Sequence, residues 1–312
     1  MNCTSEPSPS EAPEEVDGAA IAACVILGLA FLIGAPGNLL VIWVILRYIK
    51  QRFHTVVLLL HLAVADLLTL ITLPLWIYSL QRTWVFGETV CKLVVYIVMA
   101  CMFSSIFFIT LISVERFLAI CHPFLMMRWK SKRNINRCLL VLWLFALLLG
   151  VPALITQTLD ERDGAKHCLT KEFTSDTLTI TFLCLETLLG FVLPLITLCV
   201  CYCLVDVQLK KMSFTSKQKS KVLIHTVMAV FILCWLPYHV VNIIDVVCHL
   251  FFDTHECVPR SLVLSTGALV FISSSVNPVL YTFFARNMTE SLGESRLVRL
   301  FKEVTSHVVR EV

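Results

Sequence analysis

The stretch Ser113-Val114-Glu115-Arg116-Phe117-Leu118-Ala119-Ile120 puts a carboxylate and a guanidinium side by side at the end of an apolar run. That run begins near Leu93 and holds no other charge. A charge inside a bilayer-spanning segment costs about 2.5–3.5 kcal/mol on insertion scales, so residues of this kind are usually paired or functional. A snorkelling arginine with a local acidic partner is the plain alternative, and the rest of the chain has to decide between the two.

Working outward, only 15% of the 312 residues are charged and 58% are hydrophobic, with a mean hydropathy of +0.84. Soluble domains carry about 25% charged residues, so this is a membrane protein. A spanning helix needs about 20 mostly apolar residues. Seven runs meet that length: Ala19–Leu46, Thr55–Leu80, Val90–Cys121, Asn134–Ile155, Thr177–Val207, Val222–Phe252 and Leu262–Ala285. The fold class is therefore all-α, a seven-transmembrane helix bundle.

Seven spans put the termini on opposite sides, and Lys and Arg near helix ends stay cytoplasmic. Connectors one, three and five carry such residues: Arg47, Lys50 and Arg52; then Arg128, Lys130, Lys132, Arg133 and Arg137; then Lys210, Lys211, Lys217, Lys219 and Lys221. The tail 1–18 is acidic, with Glu6, Glu11, Glu14, Glu15 and Asp17, and is expected outside. The net charge of +3 is this bias and not a nucleic-acid footprint. The chain start lacks a charged-then-apolar pattern, so span one is expected to direct insertion. The spans occupy 19–285. Segment 286–312 interleaves Leu292, Leu297, Leu300 and Phe301 with Arg296, Arg299 and Lys302, the pattern of a short amphipathic helix on the inner membrane surface.

Further residues sit out of place within the spans: Gly37-Asn38, Asp66, Trp143, Pro194, Cys234-Trp235-Leu236-Pro237 and Asn277-Pro278-Val279-Leu280-Tyr281. Each alone is weak, since a lone Pro is commonly a tolerated kink and a lone Trp an interfacial anchor. One set per span, in this order, resembles the rhodopsin-like G-protein-coupled receptors from roughly Ala19 to Met288.

The resemblance implies roles. Glu115 restrains Arg116 until activation releases it toward a heterotrimeric G protein, although Glu115 and Phe117 stand where Asp and Tyr are commoner. Trp235, Pro237, Asn277, Pro278 and Tyr281 are the other switch residues, with Pro237 bending span six. Asp66, Ser105, Ser274 and Asn277 would form an allosteric sodium site; a merely hydrogen-bonded Asp66 is the alternative. Arrestin and a receptor kinase are implied partners. Of fourteen cysteines, most lie within spans as apolar filler, whereas Cys91 and Cys168 match the family's outer-loop disulfide. Cys248 and Cys257 bracket the last outer loop and are candidates for a second ring. Asn2-Cys3-Thr4 is a glycosylation sequon.

Other classes fit less well. Span seven has no lysine for a retinal Schiff base. His61, His225 and His239 lie on different spans without the spacing of a hydrolase, so they read as isolated polar residues and no enzyme is expected. No duplicated half suggests a transporter, which with a channel stays a distant alternative tested by ion flux. Val98 occupies the position where amine receptors carry an Asp.

Longer runs, from Trp235 to Asn242, from Phe271 to Tyr281 and Leu185-Glu186-Thr187-Leu188, resemble leukotriene B4 receptors. That implies a lipid-mediator ligand whose hydroxyls bond to Glu186, and Gi-type coupling in chemotactic signalling at the plasma membrane. The expected ligand contacts are Lys92, Tyr96, Met99, Gln157, Glu186, Trp235, His239, Asn242 and Arg260. Gln157 and Val263 replace arginines expected in such receptors, which leaves the carboxylate's cation among Arg82, Lys92, Lys166, Lys171 and Arg260. Another eicosanoid or a chemotactic peptide is the alternative ligand.

Overall fold

The computed structural model describes residues 13–48, 54–129, 131–162, 165–170, 176–209, 214–251 and 258–289. Seven helices or helix pairs in it are long and apolar enough to cross a membrane. For the first five, the ends lie within two residues of those read from hydropathy. Span one is α1 (Pro13–Tyr48), whose helix starts before the apolar segment at Gly18. Span three is α4 (Glu88–Cys121) and span four is α6 (Lys132–Thr156), with the short α5 (Pro123–Trp129) between them. Span six is α9 (Phe214–Phe251), and span seven is α10 (Arg260–Thr289), which stays helical into the segment expected to lie on the membrane surface.

Two spans are not continuous helices, for the same backbone reason. Span two divides into α2 (His54–Leu70) and α3 (Leu73–Gln81) just ahead of Pro74. Proline has no N–H to continue the ladder, and at the break the Thr72 hydroxyl donates back to the Thr69 carbonyl at 2.7 Å. Span five runs as α7 (Asp176–Thr187), a π turn (Leu188–Val192) and α8 (Leu193–Leu209). The π turn precedes Pro194, and such bulges concentrate at functional sites.

Two described stretches of the connector between spans four and five form regular structure. Strands β1 (Gln157–Arg162) and β2 (Ala165–Thr170) pair antiparallel, with Leu159 opposite Cys168 and Glu161 opposite Lys166. The expected Cys91–Cys168 disulfide fastens the hairpin to span three. A second fastening is made of backbone: Trp84 N–H and the Thr83 hydroxyl donate to the Lys166 carbonyl, and Lys166 N–H donates to Thr83 Oγ1. Cys248 is disulfide-bonded too, whereas Cys257 and the sequon at Asn2 lie outside the described residues.

Close helix approach depends on one glycine in particular. A Cβ at Gly34 would fall 2.7 Å from Leu70 and from the Ser275 backbone. Beside it the Asn38 amide donates to the Gly34 carbonyl at 3.0 Å and to the Ser274 carbonyl at 3.1 Å, joining spans one and seven. Deeper packing forms one cluster around Leu62, Phe108 and Leu139 and another around Ile106, Phe191, Phe231 and Trp235. In the first, Trp143 donates its indole N–H to His61 at 3.1 Å. His61, read from sequence as isolated, is thus the polar anchor for Trp143.

Candidate functional site

Between spans three, five, six and seven lies a cavity of about 160 Å³. Its wall is Val98, Met99, Met102, Phe103 and Ile106 on one side and Trp235, Val270 and Phe271 on the other, with Glu186, Tyr238 and His239 as its titratable lining. Glu186 is 6% exposed, and its Oε1 accepts the Tyr238 hydroxyl at 2.7 Å. His239 is 1% exposed; Nδ1 lies 3.3 Å from Thr187 Oγ1, and among the described residues Nε2 has no hydrogen-bond partner. Its ring stacks between Phe191 and Trp235. The Trp235 indole N–H reaches Ser273 Oγ at 3.3 Å, so the residue beneath the cavity is bonded across to span seven.

Four of the nine expected ligand contacts line this cavity: Met99, Glu186, Trp235 and His239. Lys92 is instead held by Glu88 one turn away, at 2.7 Å. Tyr96 packs its ring toward Gly150 on span four, where a Cβ would meet it at 3.2 Å. Gln157 is buried at the foot of β1 opposite Thr170, and Asn242 is buried one turn beyond Tyr238. Arg260 opens the helix of span seven. Lys92, Tyr96, Gln157, Asn242 and Arg260 are not among the residues that line this cavity. Tyr238 was missed because a Tyr beside a Pro in an apolar span gives no signal of its own.

One layer further in, the buried Asp66 takes the Ser105 hydroxyl on Oδ1 and the Asn277 amide on Oδ2, each at 2.7 Å. Ser274 is buried in the same layer and its carbonyl serves Asn38. The Asp66 oxygens with the Ser105 hydroxyl are the hard oxygen donors that an alkali or alkaline-earth cation takes. They fit sodium. Asn277 presents Nδ2, a donor, so it would steady the carboxylate rather than ligate the ion.

At the far end Glu115 Oε1 accepts the Thr55 hydroxyl at 2.9 Å, which ties the Glu115-Arg116 pair to the start of span two. Ser113, one turn inward, bonds the Tyr202 hydroxyl of span five at 2.8 Å. Pro237 and Pro278 lie inside continuous helices, and the Tyr281 side chain lies outside the described residues.

Residues 37–281 match the family 7 transmembrane receptor (rhodopsin family). The chain belongs to this family, a G-protein-coupled receptor class of multi-pass plasma-membrane proteins, and it is not an enzyme. Leukotriene B4 receptor 1 of Rattus norvegicus is 32% identical over 289 residues, covering 91% of this chain and 82% of the relative. Leukotriene B4 receptor 1 of Homo sapiens is 31% identical over 308 residues, covering 97% and 87%. Somatostatin receptor type 1 of Mus musculus is 30% identical over 288 residues, covering 89% and 72%.

Proposed function

We propose that this receptor senses an extracellular lipid mediator, a dihydroxy fatty acid of the leukotriene B4 kind, and signals through heterotrimeric G proteins of the Gi type. The observation that carries the reading is the cavity's chemistry: an apolar wall with a carboxyl, a phenol and an imidazole gathered on spans five and six. An alkyl chain suits the wall, and hydroxyls suit the polar group. Val98 lines the cavity where an amine would need an acid.

A volume of about 160 Å³ falls below the roughly 300–1,000 Å³ of ligand clefts, so the cavity takes one end of an extended ligand. The other end would run toward the disulfide. Val98 lies about 10 Å of helix below Cys91 at about 1.5 Å per residue, a distance a twenty-carbon chain spans with length to spare. Lys166 is the rim cation we assign to the carboxylate. It is exposed, its backbone is pinned to Thr83 and Trp84, and it shares a hairpin face with Cys168. Among the described residues no ion pair involves it.

In this reading the disulfide end and the N-terminus face outward, and the Arg116 end meets the G protein inside the cell. Ligand pressure on Trp235 would be converted at Pro237, where the missing N–H makes span six bendable, into movement of its inner half. Asp66, Ser105 and Ser274 would hold a sodium ion that favours resting packing.

Cells expressing the receptor with an extracellular epitope tag should show a calcium rise or a fall in cAMP on addition of leukotriene B4, and pertussis toxin should block it. With surface expression confirmed, silence at micromolar leukotriene B4 together with a response to a chemotactic peptide would overturn the lipid assignment.

A further inference from the structure

Glu186 and Thr187 are the last residues of α7 before the π turn, and Tyr238 and His239 follow Pro237 on span six. Consecutive residues of one span thus meet consecutive residues of the other, at 2.7 Å for Glu186 with Tyr238 and 3.3 Å for Thr187 with His239. Both bonds sit beside a backbone irregularity, and Glu186, Tyr238 and His239 line the cavity. Of the three, Glu186 has its Oε1 already occupied by a donor of the protein.

We propose that Tyr238 is a resident donor on Glu186 that competes with the ligand for the same oxygen, so that only an alcohol can take its place without loss. The proposal rests on the reading that the buried end of the ligand meets Glu186. Its chemistry is a matter of donor and acceptor counts. An alcohol wedged between the two side chains donates its proton to Glu186 and accepts the Tyr238 proton on its own oxygen, so both protein groups keep a partner. A methylene in that place strips both, at the full desolvation cost of buried polar groups. A ketone accepts from Tyr238 but leaves Glu186 without a donor. An ammonium donates to Glu186 but has no lone pair for Tyr238. Sites built to bond a hydroxyl reject analogues lacking it more sharply than apolar pockets reject extra bulk.

Gly190, in the π turn, faces the His239 ring, and a Cβ there would stand 3.6 Å from Nε2. His239 lines the cavity, and its Nε2 has no partner among the described residues, so it offers a second polar contact to the same ligand end.

The test uses the full-length receptor and three probes: leukotriene B4, its 12-oxo counterpart, and an analogue lacking both hydroxyls. In the wild type the alcohol should outbind the ketone and the deoxy analogue by roughly 10- to 150-fold, the range for one hydrogen bond to a charged group. Tyr238→Phe should leave alcohol affinity equal or higher and keep the discrimination, because the competing donor is gone while Glu186 still needs one. Glu186→Gln should collapse it, since the Gln amide can donate to a ketone. Loss of alcohol affinity in Tyr238→Phe as large as in Glu186→Gln overturns the donor-exchange proposal.

A ligand-free arm separates this from the lipid reading. Unfolding midpoints of the two single variants and the double variant, in detergent, should be non-additive because the side chains are bonded. Additive midpoints overturn the resident pair whatever the ligand. Failure of both leukotriene B4 and its ketone to bind a surface-expressed wild type, with coupling intact, overturns the lipid reading instead.

Discussion

Asn277 of span seven donates its amide to Asp66 of span two at 2.7 Å, while Ser105 of span three occupies the other Asp66 oxygen. Three spans thus meet on one buried carboxyl, and anything that recruits its oxygens bears on the packing of all three.

A sodium ion bound there should stabilise the purified receptor in proportion to its concentration. At ten times its dissociation constant the gain is about 1.4 kcal/mol by mass action. Unfolding midpoints in sodium chloride should exceed those in choline chloride of equal ionic strength, and Asp66→Asn should erase the difference. By linkage, sodium should also lower agonist affinity in the wild type alone. A sodium effect that survives in Asp66→Asn places the ion elsewhere.

Arg116→Ala should leave surface expression and ligand affinity near wild type and abolish nucleotide exchange on the G protein. The residue stands at the end of span three, far along the helix from the cavity that Val98 to Ile106 line. Exchange measured in membranes decides it; retained exchange would remove Arg116 from the signalling role.

Gly34→Ala forces a Cβ to within 2.7 Å of the Ser275 backbone, where no side chain can give way. A cost of about 1–3 kcal/mol is expected from such overpacking. Gly28→Ala, on the same helix with nothing within 4 Å, is the control and should change stability by no more than about 0.5 kcal/mol. Thermal unfolding of both variants in one detergent checks the pair.

Lys166→Ala should weaken leukotriene B4 by up to about fivefold, the ceiling of an ion pair worth about 0.2–1 kcal/mol at an exposed site, and should spare the methyl ester. Equal losses for acid and ester would make the side chain a packing contact. Gln157→Arg should destabilise the free receptor, because Gln157 is buried and a guanidinium there needs a partner. A carboxylate ligand that supplies the partner should restore the midpoint.

Much of the bundle was legible because hydropathy responds to what the bilayer demands, a length of about 20 apolar residues, and that is visible residue by residue. The breaks at Pro74 and before Pro194 were not, since both lie within uninterrupted apolar runs, where hydropathy does not register a missing N–H. The hairpin from Gln157 to Thr170 was hidden because its charged residues read as loop; only its register with Cys168 and the bonds from Lys166 to Thr83 reveal order. The Asp66 layer followed from the family pattern. The Tyr238–Glu186 bond required the relative rotation of two helices, which a π turn resets and no one-dimensional pattern carries.

The Asn38 bridge has a mechanical side. Its amide is fully buried and spent on carbonyls of two different spans, and parting those spans would strand it at about 1–3 kcal/mol. Gly34 leaves no slack between the same two backbones. Span one therefore travels with this stretch of span seven as a single strut, and a shift at Asn277-Pro278 carries the opening helix of the chain along with it.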